Sequence, residues 1–294
     1  MFFTHHASRI TFSRMALIDF ILNLAGVLLW LNARSLRFDP LVKTSAASLA
    51  GTLRRAEPNR LRDWHFLVLL AALLFLRAIL YGQIGTAVTW TPNLRLGAIA
   101  IAFRSDMFGR MCLFSLLSFA VTLGVFYAWF LLLSLVNGRA AETDLLQRLV
   151  ELHLGRVARW PWPVRLILPL AVVVLVWLGL ALLLVRWKLI PPRVSFAHRL
   201  EQGVVLGLGA YLTWRFVIAA VLVFFLLSSY IYFGNQPFWN FINATGSNLA
   251  RPLRWLPARL GKVDLIPILE IALVLAASEF ADRGLSLLYL RLPI

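Results

Sequence analysis

Six apolar stretches, separated by short polar connectors, dominate the pattern of the chain. Each approaches the roughly 20 residues that an α-helix needs to cross the hydrocarbon core of a bilayer. The pattern therefore predicts an all-α integral membrane protein with about six transmembrane helices. The stretches are about 16–33, 65–82, 111–136, 164–185, 204–233 and 264–281.

The sixth stretch is the weakest of these predictions. Glu270 interrupts its apolar core, and Glu279, Asp282 and Arg283 follow closely. If this stretch does not span, the chain crosses the membrane five times and its termini lie on opposite sides.

A shorter alternation of apolar residues, at 94–103, is typical of a β-strand. An isolated strand in lipid leaves its backbone groups unpaired. We therefore expect this segment to lie in the interface, to pair as a hairpin or to pack on protein.

The connectors after the third and fifth stretches share one plan. Each has an amphipathic segment, an Arg-x-x-Arg-Trp turn with prolines, and then an apolar helix. An amphipathic helix between two spans is expected to lie in the headgroup plane, and the prolines end it. The chain thus divides into a two-span extension at 1–109 and two parallel helix–amphipathic–helix repeats, at 110–192 and 203–294.

The turns that end the amphipathic segments carry the residues expected to bind lipid or a protein partner. Arginine forks can bind phosphates or carboxylates in a bidentate manner, and tryptophan favours the headgroup depth. Positive-inside topology signals are the alternative explanation. These residues are Arg156, Arg159, Trp160, Arg251, Arg254 and Trp255.

Composition supports the membrane assignment and explains the charge. The chain is 61% hydrophobic, with a mean hydropathy of +0.80, against roughly 45–50% apolar residues in soluble domains. The net charge of +16 lies mostly in connectors, so orientation and anionic lipid explain it better than nucleic acid does. Connectors 34–63, 138–163 and 234–263 hold more cations than the opposite set, which places them in the cytoplasm and both termini outside.

Motifs for catalysis or cofactor binding are missing from the sequence. There is no HExxH, P-loop or Gly-x-Ser-x-Gly motif, and the histidines do not pair at one predicted depth. Cys112 is the sole cysteine, so the chain alone builds no internal disulfide or cysteine-based metal site. We expect no enzyme activity, no cofactor and no bound metal.

Ionisable residues inside spans are costly and are usually paired or functional. By rise per residue, Arg215 and Glu279 lie at similar depths, about 27 Å and about 22 Å from the basic face. Asp282 is a second partner, while Arg283 offers Glu279 an intrahelical pair. Arg77 and Arg215 could instead snorkel to the headgroups, and Glu270 has no evident cation.

Asp264 has a different expected role, in local structure. It precedes the sixth stretch, and Pro267 falls in the first turn of that helix. Asp is a preferred N-cap and Pro a preferred first-turn residue. We predict that Asp264 caps the last helix.

The second repeat carries a characteristic order of residues over 234–269. They are Asn235, Gln236, Pro237, Phe238, Thr245, Arg251, Pro252, Leu253, Arg254, Pro257, Gly261, Asp264 and Pro267. This order resembles the signature of the YggT family of small bacterial and plastid membrane proteins, which contain one or two such units. The resemblance is weaker over 110–185, where Pro169 stands at the offset of the signature Asp.

The resemblance implies a function in membrane organisation. Envelope organisation, division, cytochrome assembly and osmotic or ion tolerance have been linked to the family. We predict a non-catalytic envelope scaffold or assembly factor of the bacterial inner membrane, with anionic lipids and an unidentified membrane protein as partners. An ion or osmolyte pathway is the alternative, although parallel rather than inverted repeats weigh against a transporter. A haem-handling assembly protein is a third possibility.

Overall fold

The structure, a computed structural model, describes most of the chain. Side chains are described for most but not all of these positions. The described residues are 2–35, 63–88, 91–97, 99–138, 145–187, 195–231, 234, 236–253, 255, 259–260 and 263–291.

Five helical segments are long and apolar enough to cross a membrane, which confirms a multi-pass α-helical membrane protein. They correspond to the first five predicted stretches. Lipid offers no hydrogen-bond partners, so the backbone of such stretches must satisfy itself within a helix. The segments are Met15–Arg34, Trp64–Thr86, Phe108–Val136, Trp162–Arg186 and Phe196–Tyr230.

The predicted sixth stretch is also helical but differs from these five. It is the last helix of the chain, Ile266–Arg291, and its 26 residues extend for about 39 Å at 1.5 Å per residue. Length is therefore sufficient for a crossing, yet the helix falls outside the set that meets the apolarity requirement. Its four interior charged residues account for that difference.

The chain forms two compact units, which divide it within the third spanning helix. The first unit comprises Met1–Leu94 and Ala102–Leu123, and the second comprises Arg95–Ile101 and Gly124–Ile294. These bounds differ from the three segments that the sequence predicts, and the repeat boundaries stay predictions.

The first unit contains α1 (Phe2–Ser35), α2 (Asp63–Val88) and the first half of α3 (Phe108–Val136). Helix α1 packs along α2. At Gly26 a Cβ atom would lie 2.9 Å from Cε2 of Phe119 and 3.4 Å from Cδ1 of Leu70. A side chain at this position would require the Phe119 ring to shift.

The alternating segment after α2 forms a hairpin, one of the three outcomes expected for it. Strands β1 (Asn93–Leu96) and β2 (Ile99–Ala102) pair in a two-stranded sheet, and Gly97 adopts a left-handed φ of 56° at the turn. Ile99 and Ile101 are buried. The alternation therefore marks one packed face of the hairpin.

In the second unit, α3 is followed by the short helix α4 (Leu145–Leu154), a first 3₁₀ turn (Gly155–Arg159) and α5 (Trp162–Arg186). Gly155, with a φ of 59°, follows the end of α4. Val150 and Leu154 on α4 pack against Leu131 of α3. The amphipathic helix thus buries its apolar side against the span that precedes it.

The fifth spanning segment consists of α6 (Phe196–Leu212) and α7 (Trp214–Tyr230), which meet at Thr213. Trp129 on α3 donates its indole N–H to the Thr213 carbonyl oxygen at 3.1 Å, and Trp214 donates to the carbonyl oxygen of Ala128 at 3.0 Å. These two hydrogen bonds hold the break between α6 and α7 against α3. Helix α6 also packs on α5, where a Cβ at Gly207 would lie 2.7 Å from Cδ1 of Leu170.

After α7, as after α3, the chain runs through a short helix and a 3₁₀ turn to a long helix, here with two short strands before the long helix. Helix α8 (Pro237–Leu249), a second 3₁₀ turn (Arg251–Leu253), the short strands β3 (Arg259–Leu260) and β4 (Val263–Asp264), and α9 (Ile266–Arg291) follow in turn. Phe241 and Ile242 of α8 pack against Val221 of α7. Helices α4 and α8 contact each other, and α9 packs on both α6 and α7.

The start of α9 can be compared with the prediction that Asp264 is its N-cap. Asp264 is the last residue of β4, and α9 begins at Ile266. The Leu265 carbonyl oxygen accepts a 3.0 Å hydrogen bond from the amide of Leu269, so Leu265 occupies the N-cap position. Asp264 precedes the cap by one residue.

Candidate functional site

An ion pair between a buried arginine and a half-buried aspartate lies in the first unit, among the spanning helices. Arg77 of α2 is 1% exposed. Its Nη2 donates to Oδ1 of Asp19 on α1, and its Nη1 donates to Oδ1 of Asn23 at 2.7 Å. Arg77 therefore does not snorkel to the headgroups, because its charge is paired within the helix bundle.

Asp19 is the centre of this polar cluster. Besides the Arg77 guanidinium, it accepts hydrogen bonds from Tyr81 at 3.1 Å, Ser118 at 3.2 Å and Asn23 at 3.3 Å. A carboxylate has about four lone-pair sites, so these donors saturate it. All three helices of the unit contribute side chains to the cluster.

Aromatic rings complete the environment of the Arg77 charge. Its guanidinium carbon lies 5.3 Å from the ring centroid of Tyr81 and 5.7 Å from that of Phe114. Both distances permit a cation–π interaction. The Nε atom is buried without a hydrogen-bond partner.

The sequence prediction missed Asp19 as the partner of Arg77. Asp19 and Asn23 are four residues apart, which places both on one face of α1. That spacing was the available signal. Only the tertiary structure brings this face opposite α2.

A second buried polar cluster lies in the second unit, at the end of α3. Asn137 donates through Nδ2 to Oγ1 of Thr245 at 2.8 Å and accepts at Oδ1 from Nδ2 of Asn248 at 3.2 Å. Thr245 is fully buried and donates its own hydroxyl to the Phe241 carbonyl oxygen at 2.7 Å. This cluster ties α8 to the end of α3.

An arginine on α5 binds the same end of α3. Nη1 of Arg165 donates to Oγ of Ser134 at 2.8 Å and to its carbonyl oxygen at 3.1 Å. Ser134 is buried. The end of α3 is therefore fastened to the start of α5 as well as to α8.

The predicted binding residues of the first repeat lie on the first 3₁₀ turn and just after it. Arg156 and Arg159 are exposed within the turn, and Trp160 is exposed directly beyond it. This short segment therefore exposes two guanidinium groups and an indole to a binding partner.

The second repeat presents a similar segment. Arg251 begins the second 3₁₀ turn and is exposed, and Trp255 is 77% exposed. Arg254 lies outside the described residues. The exposed indole and guanidinium could bind a lipid phosphate or an acidic protein.

Of the two arginines that the sequence leaves open as partners of Glu279, the structure pairs it with Arg283 and not with Arg215. Nε of Arg283 binds Oε1 of Glu279 at 3.0 Å, one turn away on α9. Arg215 is half-buried, with its guanidinium 4.8 Å from the ring centroid of Phe216. Glu279 thus adopts the intrahelical alternative, in which both partners lie on α9.

The two remaining acids of α9 have different surroundings. Glu270 is buried, and its Oε2 atom has no hydrogen-bond partner. Asp282 is half-buried on the side of α9 that packs against the unit. Of these two acids, Glu270 is the buried one and has a carboxylate oxygen without a hydrogen-bond partner.

Groups of three or more His, Cys, Asp or Glu side chains that could hold a metal ion do not occur among the described residues. The two polar clusters contain amides, hydroxyls and a paired carboxylate. Such groups are suited to hydrogen bonding between helices.

Comparison of the chain with family models, with curated proteins and with solved structures gives no match.

Proposed function

We propose that this protein is a non-catalytic scaffold or assembly factor of the bacterial inner membrane, built from a two-span extension and two YggT-like repeats. The observation that carries this proposal is the pairing of polar side chains inside the spans. Arg77 is paired with Asp19 and hydrogen-bonded to Asn23, and Asn137 is hydrogen-bonded to Thr245 and Asn248. Side chains that join helices rigidify a bundle and are not free to line a pathway.

The order of elements supports the two repeats. In each, a spanning helix precedes a short amphipathic helix, a 3₁₀ turn and another long helix. The contacts are also alike. Val150 on α4 packs on Leu131 of the preceding span, and Phe241 on α8 packs on Val221 of its preceding span.

The exposed turns support a docking role. Arg156 and Arg159 in one turn and Arg251 in the other leave their charges unburied, beside exposed Trp160 and Trp255. Near an anionic leaflet each such cation contributes on the order of 1 kcal/mol to binding. We propose that these segments hold anionic headgroups and present the guanidinium forks to an acidic partner.

One observation favours the alternative of an ion or osmolyte pathway. The Oε2 atom of Glu270 is buried and unpartnered, and an uncompensated carboxylate at such a site is costly. A pathway for a cation uses such a group. Under this alternative, Glu270→Gln abolishes uptake by proteoliposomes.

Affinity purification from native membranes tests the scaffold proposal. We expect a stoichiometric membrane-protein partner that is lost in the Arg156→Ala/Arg251→Ala variant. The matched control is Arg186→Ala, which removes an exposed arginine at the end of α5. Absence of any stoichiometric partner, together with ion uptake that requires Glu270, would replace the scaffold with the pathway.

A further inference from the structure

Helix α9 lies beside a membrane-spanning segment although its own sequence is only moderately apolar. It packs on both α6 and α7, which together form the candidate span Phe196–Tyr230. A 26-residue helix that contacts both halves of a span occupies the same layer of the membrane. The charged residues of α9 must therefore be accommodated inside the bilayer.

The helix buries one side against the unit and leaves the other uncovered. Side chains on the packed side are buried or half-buried and recur every three to four residues. They are Glu270, Val274, Ser278, Asp282, Leu285 and Tyr289. The opposite side is exposed and carries Ala276, Glu279, Phe280, Arg283 and Leu287.

This uncovered side contains an ion pair at the middle of the helix. Glu279 is 55% and Arg283 72% exposed, and their 3.0 Å contact holds the arginine back toward the helix centre. Helical side chains lean toward the N-terminus, so Arg283 points away from the nearer end of α9. Charges in lipid are expensive and normally face protein or water. Within the second unit, no described residue covers this ion pair.

We propose that the cover is the α9 helix of a second copy of this chain. Both copies enter the membrane in the same sense, so a two-fold axis along the membrane normal places their outward faces together. Glu279 and Arg283 are four residues apart, about 6 Å along the axis at 1.5 Å per residue, within the reach of long side chains. Glu279 of each copy then faces Arg283 of the other, and the small Ala276 lets the helices approach closely.

The charge pattern of this face fits a second copy because it is self-complementary. A partner with an unrelated apolar helix would leave both charges in contact with hydrocarbon. A second α9 offers each charge its opposite without any additional residue. Self-association through α9 is independent of the proposed scaffold function and holds equally for a pathway protein.

Oxidative crosslinking of single cysteines in native membranes locates the contact. In a Cys112→Ser background, Ala276→Cys and Leu287→Cys should give a disulfide-linked dimer. The control Leu175→Cys, 69% exposed on α5, should stay monomeric. A monomer at both α9 positions, or crosslinks only to a different protein, overturns the proposal.

Charge reversal separates contact between copies from the intrahelical pair. Glu279→Arg gives a helix with two arginines, and Arg283→Glu gives one with two glutamates. Each variant alone should lower the yield of dimer crosslinked through Ala276→Cys by about tenfold, because like charges then meet across the interface.

Coexpression of the two variants provides the decisive result. In a mixed pair every glutamate again faces an arginine of the other copy, while both intrahelical pairs stay broken. We expect the heterodimer, identified by two different tags, to recover the original crosslinking yield. Since both variants must be folded to form it, recovery also excludes misfolding. If the mixture stays as monomeric as each variant alone, Glu279 and Arg283 do not meet across an interface.

Discussion

At the scale of single residues, the polar side chains inside the spans determine which helices are held together. Arg77 is tolerated because Asp19 and Asn23 replace its lost hydration. Removal of one partner of a buried pair leaves the other charge uncompensated, which costs far more than the pair itself contributes.

Asp19→Ala should therefore lower the free energy of unfolding by about 3–5 kcal/mol. The double variant Asp19→Asn/Arg77→Gln removes both charges and should recover most of this loss. The control is Asp106→Asn in the exposed pair with Arg104, where the side chains are 50% and 70% exposed and the expected change is about 0–1 kcal/mol. Unfolding titrations in detergent measure all three. A double variant no more stable than Asp19→Ala would contradict the charge argument.

Thr245→Val tests the second polar cluster. The change keeps the shape of the side chain but leaves the Asn137 amide without its 2.8 Å acceptor. A buried unsatisfied donor costs about 1–3 kcal/mol, so we expect a loss of that size in the same titration. Thr122→Val is the matched control, because the Thr122 hydroxyl bonds only the Ser118 carbonyl one turn earlier. Equal losses in the two variants would show that the link to Asn137 adds nothing.

At the scale of elements, the amphipathic helices are positioned by close contact with the spans that precede them. Gly246 on α8 permits such contact, since a Cβ there would lie 2.5 Å from both Cβ and Cγ of Phe225 on α7. No L-amino-acid side chain fits without moving one of the two helices.

Gly246→Ala should therefore destabilise the protein by about 1–3 kcal/mol, the usual cost of overpacking. Gly209→Ala on α6 has nothing within 4 Å of its new Cβ. There the higher helix propensity of alanine should leave stability unchanged or raise it by about 0.5–1 kcal/mol. Thermal unfolding in detergent compares the pair. If Gly246→Ala is as stable as Gly209→Ala, α8 does not depend on this approach to α7.

At the scale of the whole molecule, the sidedness of the chain is a prediction from its cation distribution. The basic connectors face the cytoplasm if the positive-inside rule governs insertion. In a Cys112→Ser background, Arg60→Cys, Arg156→Cys and Arg259→Cys should resist an impermeant thiol reagent in intact cells, while Arg193→Cys should react. The opposite labelling pattern would invert the topology.

Much of the fold could be predicted because lipid imposes a strict requirement on the backbone. Apolar stretches of about 20 residues become helices, since only a helix satisfies its own N–H and C=O groups there. The amphipathic segments and the alternation at 94–103 were also readable, because each periodicity fits one kind of half-buried element. The cap position was less predictable, since helix ends depend on local geometry: α9 begins at Ile266, and Leu265 rather than Asp264 is the residue directly before it.

By itself, the sequence determined the class of the protein: a multi-pass membrane protein, most of whose apolar stretches are helices of spanning length. Only the tertiary structure decided which polar groups meet. Asp19 and Arg77 are 58 residues apart, and Asn137 and Thr245 are 108 apart, so no local spacing relates them. Glu279 had two arginines available and paired with the one on its own helix. Helix formation in lipid is governed by the hydropathy of contiguous residues, whereas pairing depends on the rotation and depth at which separate helices pack.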